Sequence, residues 1–130
     1  MILKQLNSKN LIDCKDFVID NCQYLTITGS VAYGVKKSSS DIDIYGFCIP
    51  PKEHLFPHLK GEIRGFDEKQ NIFEQWQKHH IKDGKEEYDI TVFNIAKFFR
   101  LCMNNNPNMI DCLFTPLSCV HHITNIGQIV

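Results

Sequence analysis

Two aspartates separated by one residue are the side chains in this sequence best suited to chemistry. Asp41 and Asp43 lie in the stretch "SSSDIDIYGF", whose alternation over residues 41–49 predicts a strand. Side chains two residues apart on a strand point to the same face of a sheet. Neighbouring carboxylates repel each other in a dry site, but water or a divalent cation stabilises them. The pair therefore indicates either a solvated strand face or a metal site.

A third carboxylate occurs in "YDITVFN", residues 88–94, the clearest strand signal in the second half of the chain. If this strand adjoins strand 41–49, Asp89 would meet Asp41 and Asp43. Three such acids could hold two cations that support in-line attack on a phosphorus. The ordinary alternatives are that Asp41 is a turn residue and that Asp89 faces solvent. The metal-site hypothesis therefore depends on which strands are neighbours.

A glycine and a serine precede the acids in the sequence. The run "YLTIT", residues 24–28, predicts a strand that stops at Gly29, and residues 30–35 predict a short helix. Free N–H groups at a helix N-terminus bind phosphate, and a glycine lets a ligand approach the backbone. The alternative for Ser30 is a simple N-cap. Together with the acids, this turn predicts a site where phosphate and metal share one face.

The stretch "GSVAYGVKKSSSDIDIYG" resembles the signature of the DNA polymerase β-type nucleotidyltransferase superfamily, in which Gly-Ser and a short helix precede Asp-x-Asp. A later block, "YDITVFNIAKFFRLCMNNNPNMIDCLF", narrows the resemblance to the predicted nucleotidyltransferases of bacterial and phage RNA-repair gene clusters. The two blocks cover a large part of the chain in the expected order. The resemblance implies an α/β (α+β) fold, a mixed β-sheet flanked by helices as in polymerase β-like nucleotidyltransferases.

The resemblance also implies roles for individual residues. Three carboxylates would be catalytic and would bind metal: Asp41, Asp43 and Asp89. Of these, Asp89 would also orient or deprotonate the attacking hydroxyl. Four residues would contact the nucleotide phosphates: Gly29, Ser30, Ser40 and Lys97. For Lys97, a solvated position on a helix face is an equal alternative.

The reaction implied by the resemblance is nucleotidyl transfer. An acceptor hydroxyl would attack the α-phosphorus of a nucleoside triphosphate, with Mg²⁺ or Mn²⁺ as cofactor, and pyrophosphate would leave. The first choice of acceptor is an RNA 3′ end, and a protein hydroxyl, as in antitoxins that transfer AMP to a partner toxin, is the alternative. A non-catalytic nucleotide- or partner-binding module is the competing class. The three intact acids argue against that class, whereas the expected absence or truncation of a C-terminal helical region argues for it.

The composition is that of an ordinary globular protein. The 130 residues suffice for one compact domain, predicted as a single nucleotidyltransferase domain over residues 1–130. A net charge of −1 gives no sign of a long basic surface for nucleic acid. It is compatible with a nucleic acid that is bound only near one end. Six cysteines without CxxC spacing predict reduced thiols in an intracellular, cytoplasmic protein. No stretch resembles a signal peptide or a membrane span.

Three further helices are predicted, each with an asparagine that can cap it. They are residues 10–21 with Asn10, the stretch "IAKFFRLCMNN" after Asn94, and "PNMIDCLF" after Asn106. Residues 52–84 carry no clear pattern, and "NIFEQWQKHHI" within them fits a strand or a short helix. The adjacent pair His79 and His80 would point in different directions on regular structure.

Overall fold

The computed structural model describes residues 1–28, 42–55, 73–84 and 86–130. It contains a mixed five-stranded sheet in the order β3-β4-β2-β1-β5. The strands are β1 (Cys22–Thr28), β2 (Ile42–Cys48), β3 (Gln75–Asp83), β4 (Glu86–Asn94) and β5 (Val120–Ile123). Strands β2 and β4 are parallel, and every other neighbouring pair is antiparallel. The predicted α+β fold with a mixed sheet is therefore confirmed.

The described residues form six α-helices, and α-helices lie on both faces of the sheet. They are α1 (Ile2–Ser8), α2 (Asp16–Asp20), α3 (Lys52–Leu55), α4 (Ile95–Met103), α5 (Pro107–Leu113) and α6 (Asn125–Ile129). One core joins α1 and α2 to Ile44 and Ile90, whereas a second core joins α4 and α5 to Phe47 and Phe93. Alternation along each strand sends neighbouring residues to opposite cores. No helix in the described residues is long and apolar enough to span a membrane.

Two of the predicted helix starts are confirmed in detail. The Asn94 side chain accepts a hydrogen bond from the Ala96 amide at the start of α4. The Asn106 side chain accepts from the Asn108 amide at the start of α5, whose first residue is Pro107. An asparagine cap satisfies an amide that has no partner inside the helix, and proline there loses no hydrogen bond. Local chemistry thus fixes where both helices begin.

The predicted helix over residues 10–21 is wrong over its first half. Only Asp16–Asp20 is helical, and α1, which the pattern did not reveal, precedes it. Asn10 has a left-handed backbone, with φ of 59°, and donates its amide to Asn7 just after α1 ends. Asparagine tolerates this conformation better than most residues, so here it closes a helix instead of opening one. The short helix predicted at residues 30–35 lies outside the described residues.

The thiols predict how the fold responds to alkaline pH. All six cysteines are unpaired with one another, and burial raises the pKa of four of them from 9.0 to about 12: Cys14, Cys22, Cys48 and Cys112. Between those two values the unfolded chain binds fewer protons than the folded one, so the free energy of unfolding falls as pH rises above 9. Each such thiol adds about 1.4 kcal/mol per pH unit to that slope.

Urea titrations under reducing conditions between pH 9 and pH 10 would measure this slope. We expect the Cys112→Ala variant to show a shallower slope than the wild type, whatever its absolute stability, because one titrating thiol is gone. Ser118→Ala provides the control, because it truncates an exposed side chain that carries no thiol, and it should keep the wild-type slope. Equal slopes in the wild type and Cys112→Ala would contradict the assignment.

Candidate active site

Two acids lie side by side on the inner strands β2 and β4, near the end of the sheet at which β2 begins. Asp43 on β2 is the register partner of Asp89 on β4, and these strands run parallel. Neighbouring strands lie about 4.8 Å apart, and register partners point to the same face. Both carboxylates therefore project from the face that α4 and α5 partly cover. The adjacency of the two strands, on which the sequence hypothesis depended, is confirmed.

The Tyr45 ring lies close to both acids. It follows Asp43 by two residues on the same face and packs against Phe93, with ring centroids 6.3 Å apart. Burial raises the pKa of the Tyr45 hydroxyl, and the negative charges of Asp43 and Asp89 raise it further. Both carboxylates consequently lie close enough to this ring to disfavour a further negative charge. The ring forms an apolar boundary between the acids and the second core.

Strand β1 ends beside Asp43, on the side of β2 that faces away from β4. Thr28, its last residue, is the register partner of Asp43 and donates its hydroxyl to the Asp43 carbonyl at 3.5 Å. In sequence, Thr28 and Ile42 flank the segment 29–41 that carries most of the predicted site. That segment, with Gly29, Ser30, Ser40 and Asp41, lies outside the described residues. Their predicted roles stay predictions, although both flanking residues lie at the end of the sheet where Asp43 is.

A bulge in β3 lies opposite Asp89. Lys78 pairs with Ile90 and Ile81 pairs with Tyr88, so two residues of β3 face one residue of β4. The hydrophobic pattern requires this extra residue, because Trp76 and Ile81 pack in the same core although they are five residues apart. An odd spacing puts two side chains on opposite faces of a regular strand. Inserting one residue brings Ile81 back to the core.

The two residues of the bulge are His79 and His80, and both contact Asp89. The His80 amide donates to Asp89 Oδ1 at 2.8 Å, and His79 Nδ1 lies 3.7 Å from the same oxygen. His80 adopts a left-handed backbone with φ of 56°, and its Nδ1 lies 2.7 Å from Glu87 Oε1. The expectation that adjacent histidines diverge applies to regular structure, and the strand is irregular at this point. The odd spacing of Trp76 and Ile81 was the signal that could have revealed it.

Lys97 lies at the other end of β4. Asn94, the last residue of the strand, follows Asp89 by five positions, which is about 16 Å at 3.3 Å per residue. The Lys97 ammonium donates to Gln75 at 2.6 Å and lies 3.5 Å from Glu74. The structure therefore does not bring Lys97 beside the two acids, and its predicted contact with phosphate stays a prediction.

A row of polar side chains nevertheless links Lys97 to the bulge. Lys97 can only donate, so Gln75 accepts with its carbonyl and donates its amide to the Gln77 carbonyl at 2.8 Å. The Gln77 amide in turn contacts His79 Nε2. In a neutral ring that accepts at Nε2, the proton is on Nδ1, the atom that faces Asp89. The row thus ends at the ring nitrogen of His79 that does not face Asp89.

Comparison with known proteins identifies the family of the chain. A family model described as RlaP, RNA repair pathway DNA polymerase beta family, matches residues 3–130. The chain belongs to this family. A search of curated proteins and a search of solved structures found no significant match. The five-stranded mixed sheet is consistent with the polymerase β-like fold, and the resemblance that the sequence motifs indicated is confirmed.

The donor set of this RNA repair pathway polymerase beta family member suits a hard divalent cation. Asp43 and Asp89 offer carboxylate oxygens in adjacent positions, and Mg²⁺ favours oxygen ligands with one or two carboxylates. In the parts of the chain that the structure describes, no three histidine, cysteine or acidic side chains group as a metal site. The third ligand that the sequence predicts, Asp41, lies outside those parts. The described pair therefore fits a cation site that needs at least one more oxygen donor.

Proposed function

We propose that the chain is a metal-dependent nucleotidyltransferase, a single domain over residues 1–130 that transfers a nucleoside monophosphate from a nucleoside triphosphate to an acceptor hydroxyl. The observation that carries the proposal is the register pairing of Asp43 with Asp89 on parallel central strands. The family match over residues 3–130 supports the reaction class. The RNA repair pathway in the family's description favours an RNA end as acceptor.

The acids explain how the chain would promote the reaction. The acceptor oxygen bonds to the α-phosphorus, the bond from that phosphorus to the β-bridging oxygen breaks, and its electron pair leaves with pyrophosphate. The proton of the acceptor hydroxyl passes to a carboxylate oxygen of Asp89, which acts as the general base. Asp89 is suited to this role because its side chain is 22% exposed, so an acceptor can reach it.

Holding the substrate is the second task of the site. A divalent cation, when bound, supplies positive charge that offsets the charge of the triphosphate, and Asp41, Asp43 and Asp89 would hold it. Gly29, Ser30 and Ser40 would contact the phosphates, which matches the position of Thr28 beside Asp43 at the end of β1. Catalysis would then rest mainly on positioning and on electrostatic stabilisation.

The test is a transfer assay with each of the four α-labelled nucleoside triphosphates and Mg²⁺ or Mn²⁺. RNA with a free 3′ hydroxyl is the expected acceptor, and the same RNA with a 3′ phosphate is its blocked control. We expect label on the free 3′ end with one pyrophosphate released per transfer, and no transfer with chelator. Asp20→Asn, which removes an exposed acid of α2 on the opposite face, should transfer as the wild type does.

Other outcomes would change the proposal in defined ways. Label on a protein, and none on RNA, would keep the reaction and replace the acceptor. Binding of triphosphate without transfer to RNA or protein under any of these conditions would contradict the enzyme and identify a nucleotide-binding module.

A further inference from the structure

The β3 bulge has a geometry that regular pairing could not provide. In a regular antiparallel pair one residue of β3 would face Asp89. The amides of β3 would then donate to backbone carbonyls and not to a side chain. Here two residues face it, and the left-handed backbone of His80 turns its amide toward the Asp89 side chain. Bulges commonly occur next to active sites, where they redirect individual groups. The amide-to-carboxylate distance of 2.8 Å is that of a good hydrogen bond.

The hydrogen bond and the ion-pair contact that described residues make with Asp89 reach the same oxygen. The His80 amide and the His79 ring both approach Oδ1. The His79 distance of 3.7 Å exceeds hydrogen-bond range, so the His80 amide makes the stronger of the two contacts. Fixing one carboxylate oxygen restricts rotation of the whole group and so defines where Oδ2 points. A carboxylate that has to bind a cation or take a proton gains from such restriction.

We propose that the bulge positions Asp89 for nucleotidyl transfer: the left-handed backbone of His80 directs its amide to Oδ1 and keeps Oδ2 for the cation or the acceptor hydroxyl. This inference rests on the function proposed above, and His80 is a positioning residue in it, since it acts only through Asp89. The essential feature of His80 is its backbone conformation. The imidazole, which contacts Glu87, is dispensable for the role.

Two substitutions separate the backbone from the side chain. His80→Asn and His80→Val both remove the imidazole, but asparagine populates the left-handed region readily and a β-branched residue avoids it. We expect His80→Val to weaken Mn²⁺ binding and lower kcat by about 10- to 100-fold, the range found for groups that orient metal ligands. KM for the triphosphate should change little. We expect His80→Asn to stay within about 3-fold of the wild type in each quantity.

A third measurement tests the contact without any reaction. The His80 amide should exchange slowly with solvent hydrogen in the wild type, and faster in Asp89→Ala, because its acceptor is gone. The amide of Gln77, on the same strand and two residues before the bulge, is the internal reference and should exchange equally in both proteins.

The outcomes distinguish the inference from the function on which it rests. Equal Mn²⁺ affinity and kcat in His80→Val and His80→Asn would overturn the positioning role. Equal exchange of the His80 amide in the wild type and Asp89→Ala would overturn the contact itself. A wild-type chain that protects this amide but neither binds Mn²⁺ nor transfers nucleotide would contradict the proposed function and, with it, the catalytic meaning of the contact.

Discussion

Neutralising either central acid should abolish most nucleotidyl transfer while leaving the fold at least as stable as before. We expect Asp89→Asn to lower the transfer rate by about 10²–10⁴-fold, the contribution typical of a positioned general base. Asp43→Asn should lower it by at least about 100-fold, because a ligand that fixes a catalytic cation is worth several kcal/mol. A single-turnover transfer assay at saturating Mg²⁺ measures both values without interference from product release.

The free energy of unfolding should not fall when the activity is lost. Asp43 and Asp89 are like charges directly opposite each other, and such pairs destabilise a sheet by roughly 0.2–1 kcal/mol. Because asparagine keeps an oxygen that can accept from the His80 amide, Asp89→Asn should leave the free energy of unfolding unchanged or raise it by about that amount, measured by urea titration at pH 7 without metal. This combination of lost activity and retained stability is what distinguishes functional acids from structural ones.

The double variant Asp43→Asn/Asp89→Asn gives the sharper result. If the two acids act through one shared cation, removing the second should cost little more than removing the first, because groups that act as a unit are strongly non-additive. Asp20→Asn again serves as the control for loss of a remote carboxylate. Full transfer activity in either single variant, or a loss of stability of several kcal/mol in both, would refute the assignment of this pair as the catalytic centre.

The sequence was sufficient for the strands that carry the acids. β1, β2 and β4 appear in it as short runs rich in β-branched and aromatic residues, because each is buried on at least one face. The pairing of Asp43 with Asp89 was not contained in either run. The pairing depends on which strands are neighbours and on their register. An alternating pattern shows which face each side chain is on, but it does not identify the neighbouring strand. The family resemblance supplied what the local patterns could not.

The parts that were wrong or missing have a common physical reason. Asn10 can open a helix with its side chain or close one with a left-handed backbone, and the sequence does not say which. β3 carries glutamines and histidines on its outer face, so it shows little alternation. β5 has four residues, too few for a period to emerge. In each case contacts distant in sequence decide a local choice that is nearly balanced.

Lys97 illustrates a different limit. Its place on a helix after the acidic strand was predicted from the family's later block, and the helix is there. The strand length that separates Asn94 from Asp89 carries the lysine away from the acids and toward Gln75. Proximity in sequence to a site residue is thus a poor guide at the far end of a strand, where each residue adds about 3.3 Å.

Replacing Gly46 with alanine should destabilise the chain more than any other single methyl addition among the described glycines. Gly46 lies on β2, three residues after Asp43, between Leu25 on β1 and Val92 on β4. A Cβ atom there would lie 1.9 Å from the Tyr24 carbonyl oxygen and 2.7 Å from a methyl group of Leu25. The carbonyl belongs to the backbone of a central strand, so it cannot rotate away as a flexible side chain would.

The close approach lies beside an irregularity of β1. Its register with β2 shifts between Cys22 and Tyr24, and the Tyr24 carbonyl oxygen is the atom nearest to a Cβ on Gly46. We expect Gly46→Ala to cost at least about 4 kcal/mol of unfolding free energy, which places it among the exceptional substitutions. Since domains of this kind are stable by about 5–15 kcal/mol, a loss of this size would remove between about a quarter and four fifths of the stability and lower the unfolding temperature strongly. Thermal unfolding followed by circular dichroism measures the loss.

Gly84→Ala is the matched control, because it adds the same methyl group at the hairpin between β3 and β4. A Cβ at Gly84 meets nothing within 4 Å, but φ there is +66°, so the change should cost about 1–2 kcal/mol from backbone strain alone. The difference between the two variants isolates the steric term at Gly46. A Gly46→Ala protein within about 1 kcal/mol of the Gly84→Ala protein would mean that β1 can move away from β2. In that case the sheet would not hold Asp43 as rigidly as a catalytic carboxylate requires.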